Sequence, residues 1–94
     1  MHYIIHCLDK PGALPVRLEN YTAHRAYLAE APVKIVISGP LVADDNETMI
    51  GSCFLIEADS KDAAAAFNAA DPFAKAGVWA SVNVHPFIKR QDNR

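Results

Sequence analysis

The chain has no C-x-x-C pair, no clustered Cys and His ligands, no glycine-rich phosphate loop and no surplus of basic residues. Each absence removes a class of function. Cys7 and Cys53 stand far apart and fit neither a redox pair nor a zinc cluster, so they read as free thiols of a reducing compartment. His2 and His6 stand four apart in a strand-like stretch rather than on a helix, and His24 and His85 lie far along the chain, so no metal is expected. Nine Lys plus Arg against eleven Asp plus Glu give a net charge of -2, which leaves no basic patch to neutralise a nucleic-acid backbone. Long apolar runs are also missing. The N-terminal stretch lacks a basic start and reaches Asp9 too early for a signal peptide or a span, so a cytoplasmic protein without a membrane partner is expected.

What remains is 94 residues, 51% of them hydrophobic, which predicts one domain over residues 1–88 and a polar tail over 89–94. A chain of this size buries only roughly 60 to 65% of its unfolded surface, so a second subunit would add useful burial.

Tyr3 to Leu8 reads as a strand that stops at the turn cluster Asp9-Lys10-Pro11-Gly12. A helical region follows in two pieces, 14–19 and from about Thr22 to Ala31, because Asn20 and Thr22 are good N-cap residues and Pro32 stops the second piece. Val33 to Val42 and Met49 to Ala58, joined by Asp44-Asp45-Asn46, predict a β-hairpin. Ser60 opens an alanine-rich helix that runs to Asp71-Pro72. After Gly77, the alternation of Val78, Ala80, Val82 and Val84 with Trp79, Ser81, Asn83 and His85 predicts a last strand, ending near Pro86.

The order β-α-β-β-α-β predicts an α+β, ferredoxin-like fold: a four-stranded antiparallel sheet with its helices on one face. By period two, the other face receives Cys53, Leu55 and Trp79, made partly polar by His6, Ser81, Asn83 and His85. Such a surface predicts a homodimer, or a higher oligomer, joined through the sheet face with a wet cavity between the sheets.

From Tyr3 to Phe87 the sequence resembles the YciI-like (YCII-related) family of small dimeric α/β-barrel proteins. The resemblance is carried by Asp9-Lys10-Pro11-Gly12, Arg17, His24, Ser38-Gly39-Pro40-Leu41, Gly51-Ser52, Asp71-Pro72-Phe73 and Ala76-Gly77. It implies an active site formed by His24 and Asp71, with His24 as general acid or base and Asp71 orienting the ring and stabilising the imidazolium. The fold order supports their meeting, since the first helix begins and the second ends at one edge of the sheet. Ser38, Gly39 and Pro40 lie toward the same edge, where they would contact a small-molecule substrate, and Arg17 and Lys10 would balance an anionic one. Activities associated with the family include removal of chloride from a hydroxylated, chlorinated aromatic compound. The expected chemistry is therefore a cofactor-free lyase or isomerase type of proton transfer.

Plainer roles compete for the same residues. Asp71-Pro72 is also a helix cap followed by Pro at the first position, and Ser38-Gly39-Pro40 also fits a strand kink with Gly39 allowing close backbone packing. Arg17 and Lys10 also fit solvated surface charges. The rival to an enzyme is a non-catalytic dimeric module that holds a ligand between its sheets.

Overall fold

Side-chain alternation decides which face of the sheet is covered. The computed structural model describes residues 1–94, and in β1 (His2–Asp9) Tyr3, Ile5 and Cys7 are buried while His6 and Leu8 are exposed. The same period in β3 (Met49–Glu57) buries Ser52, Phe54 and Ile56. With β2 (Lys34–Val42) and β4 (Trp79–Phe87) they form one antiparallel sheet in the order β2-β3-β1-β4. Four helices complete the chain: α1 (Leu14–Glu19), α2 (Tyr21–Ala29), α3 (Lys61–Ala69) and α4 (Pro72–Lys75). The architecture is the α+β, ferredoxin-like sheet that the element order predicts. None of the helices is long and apolar enough to cross a membrane.

The core lies between the helices and the odd-numbered face of β1. Phe67 of α3 and Phe73 of α4 are fully buried there with Ile5, Phe54 and Ile56. Ser60 caps α3 by accepting from the Ala63 amide at 3.1 Å, as expected. Cys7 sits in this core with no exposure, and burial pushes its thiol up to about 12, so it is an inert packing group rather than a nucleophile.

Three local expectations need correction. Trp79 belongs to the core, not the uncovered face. Pairing of β1 with β4 slips between Leu8, opposite Ser81, and Asp9, opposite Trp79, so Ala80 is an extra residue. This bulge turns the indole to the helix side, where it meets the rings of Phe54 and Phe73 edge-on at 6.4 and 6.1 Å. The helical break is present, but Asn20 does not cap α2 with its side chain; its amide donates back to the Val16 carbonyl at 2.9 Å, and α2 stops at Ala29. The last strand ends at Phe87, next to Pro86 as expected, and β4 tolerates the proline as an edge strand.

The third correction concerns glycine. A Cβ at Gly39 would meet nothing within 4 Å, so close packing is not its role, whereas a Cβ at Gly51 would fall 2.2 Å from the Cys7 carbonyl oxygen. Because the obstacle is backbone, the strand pair must move to accept a methyl group. Gly51→Ala is expected to cost about 1–3 kcal/mol in urea unfolding, and Gly39→Ala much less. Equal losses at the two positions would contradict this account.

Candidate active site

Asp9 is the last residue of β1, and the turn after it, with Gly12 at φ +75°, sends the chain back along the sheet into α1. That reversal lays Arg17 over Asp9. Arg17 Nε and Nη2 donate to the two Asp9 oxygens at 2.8 and 2.9 Å, and Nη2 also donates to Ser52 Oγ at 2.8 Å. The guanidinium carbon lies 4.7 Å from the centre of the Phe73 ring. A planar fork matched to a carboxylate holds one orientation well, and here it is only 2% exposed. Arg17 is thus no solvated surface charge. Nη1 has no protein partner and keeps access to solvent.

One helix later, His24 is also buried. Its Nδ1 lies 2.8 and 2.9 Å from the two oxygens of Asp71, a residue with no exposure at all. Asp71 Oδ1 also accepts from the Phe73 amide at 2.8 Å, so it caps α4 and holds the imidazole at once. A carboxylate oxygen accepts from Nδ1–H, and in the neutral imidazole the lone pair is then on Nε2. Phe73 stacks against the imidazole at 3.9 Å with the planes 10° apart. The ring therefore has little freedom to turn.

Nε2 has no protein partner, and His24 borders a cleft of about 560 Å³ between α2 and the β2 side of the sheet. Arg17, Tyr21, Arg25 and Leu28 share the helical wall. Ser38, Gly39, Pro40, Ser52 and Phe54 form the sheet wall, with Ser38 opposite Phe54 and Pro40 opposite Ser52 in the β2–β3 register. Apolar walls with a few fixed polar atoms suit a small planar molecule.

Of the residues expected at the site, His24, Asp71, Arg17, Ser38, Gly39 and Pro40 gather here. Lys10 does not. It is exposed outside the cleft with its ammonium beside Gly77, because the turn that brings Arg17 inward leaves Lys10 on the outer side. Asp9, Ser52 and Phe73 are further members of the constellation. They stood within recognised motifs, but nothing in a linear pattern says that they would clamp Arg17 and His24. Tyr21 and Arg25 carried no signal beyond helical spacing.

The family model for the YCII-related domain matches residues 1–88. The chain belongs to the YCII-related family. Among its YCII relatives, protein YciI of Escherichia coli O6:H1 is 35% identical over 96 aligned positions, covering 95% of this chain and 98% of the relative. A Haemophilus influenzae protein is 34% identical with the same coverage. A solved structure, the 5-chloro-2-hydroxyhydroquinone dehydrochlorinase TftG of Burkholderia phenoliruptrix AC1100 in complex with 2,5-dihydroxybenzoquinone, shares 40% identity and superposes with a TM-score of 0.84 over 94% of each chain. The same fold therefore serves an enzyme acting on a hydroxylated ring.

Proposed function

We propose that this protein is a small-molecule enzyme that transfers a proton on a hydroxylated aromatic or enolic ring, with His24 as general acid and base. The observation that carries this is the buried His24–Asp71 pair, which leaves only Nε2 of the imidazole facing the cleft. With Nδ1–H held by Asp71, Nε2 takes the proton of a ring hydroxyl, and Asp71 stabilises the resulting imidazolium. The same nitrogen then delivers that proton to a ring carbon. The net change is enol to ketone; on a chlorinated ring the protonated carbon then loses chloride as a second ring hydroxyl gives up its proton, so HCl leaves and neither oxidant nor cofactor is needed. Arg17 Nη1 is the N–H donor left for the oxygen that becomes anionic, while Ser38 and the Gly39-Pro40 backbone seat the ring. The activity in the name of TftG, at 40% identity, supports this substrate class.

The test uses 5-chloro-2-hydroxyhydroquinone for turnover and 2,5-dihydroxybenzoquinone for binding. Wild type is expected to turn over the first, and His24→Ala to lose turnover at least 100-fold while still binding the second. Binding without turnover in the wild type would instead favour a non-catalytic ligand module.

The homodimer belongs to the same proposal. Ile37, Leu8 and Phe87 are 56, 41 and 39% exposed, and by register they share the helix-free face with His6, Cys53, Leu55, Asn83 and His85. A second copy laid on this face would bury about 800 Å² per partner and enclose its polar centre. Sedimentation is expected to give twice the chain mass for wild type and a monomer for Ile37→Asp.

A further inference from the structure

The charge inside the cleft is one-sided. No Asp or Glu side chain lines it, whereas two guanidiniums do. Their situations differ. Arg17 is committed to Asp9 through a two-bond fork, so its charge is largely balanced at source. Arg25 is exposed and forms no ion pair with any carboxylate of the chain. Helical spacing of four places it on the same stripe of α2 as Tyr21, and its guanidinium carbon lies 5.7 Å from the centre of that ring. The aromatic face steadies the long side chain over the mouth without neutralising it. Two polar atoms of buried groups, the donor Arg17 Nη1 and the His24 Nε2 lone pair, are also left without protein partners.

We propose that Arg25 is a specificity-determining residue that selects planar ligands carrying an anionic substituent, the charged group lying at the mouth under Arg25 and the ring reaching inward to His24. This rests on the proposed function and narrows its substrate class to anions. Phe54 and the Gly39-Pro40 segment set the width of the slot, and Arg25 sets the sign of charge it favours. A neutral ring of the same shape enters the cleft with no gain from the mouth. Arg25 touches neither His24 nor Asp71 by any hydrogen bond, so its effect falls on ligand affinity rather than on the proton transfer.

Benzoate and benzamide separate charge from shape, being planar, equal in size and different in charge. Chemical-shift titration of the amides of Ser38 and Phe54 in the full chain is expected to show tighter binding of benzoate by wild type. Arg25→Gln should weaken benzoate about fivefold and leave benzamide unchanged, and Arg25→Lys should restore most of the preference. Added salt should weaken benzoate alone. Benzamide shifting these amides as strongly as benzoate in wild type, or Arg25→Gln leaving the pair unaltered, overturns the role of Arg25 while the cleft still binds rings. Absence of shifts with both compounds overturns the role of Arg25 and the cleft as a ring-binding site together.

Discussion

Turnover falls about 100-fold or more when Asp71 is replaced by Asn, while the fold is largely kept. The asymmetry follows from what each oxygen does. Oδ1 accepts from the Phe73 amide, so in the variant the amide oxygen must stay at that position to preserve the cap. The amide nitrogen then takes the place of Oδ2, 2.9 Å from His24 Nδ1. Nδ1–H keeps an acceptor at the Oδ1 position, 2.8 Å away, but an amide donor now faces it from the other side and the negative charge that stabilises the imidazolium is gone. The nitrogen that faces the cleft loses the charge that favours its taking up a proton. Asp71→Ala should add a loss of stability of about 1 kcal/mol through the vacated cap. Nitrogen-15 shifts of the imidazole check its protonation directly, alongside kcat and thermal unfolding. A variant whose imidazole takes up a proton as readily as in wild type, with normal turnover, would remove the carboxylate from the mechanism.

Arg17→Met is the change expected to cost most stability, about 3–5 kcal/mol in urea unfolding. Methionine fills much of the same volume, so the cost is not chiefly a cavity. It arises because Asp9, whose side chain is 7% exposed, is left as a buried charge with its two best donors gone, and Ser52 loses its donor as well. Asp9→Asn in the same chain should recover a substantial part of the loss, since a neutral amide tolerates burial better than an unpaired carboxylate. The two substitutions are in contact and will not add. Additive losses in the double variant would mean that the fork contributes little to the fold.

The strands and the two long helical stretches were legible because alternation and capping chemistry are local. Ser60 could cap from its own dihedral choice, and Asp71-Pro72 signalled a helix start whatever surrounded it. The face of Trp79 was not legible: period two assigns it to the open face, and only the slip of β4 against β1 reverses that. Pairing register is a property of two strands, so neither strand sequence contains it. Gly51 has the same explanation, since the atom it must avoid belongs to Cys7 on another strand.

At the site, the resemblance named His24 and Asp71, and the fold order brought them to one edge. The neighbours that give those residues their properties were hidden. Asp9 and Ser52 fix Arg17 only because the turn folds α1 over the ends of β1 and β3, and the same turn carries Lys10 away. The sequence by itself determined the element order, the covered and uncovered sheet faces apart from Trp79, and the types of group available for proton transfer. Tertiary structure alone decided which nitrogen of His24 is free, which cation is balanced and which is not. Those properties depend on distances of about 3 Å between groups far apart along the chain, which no local pattern specifies.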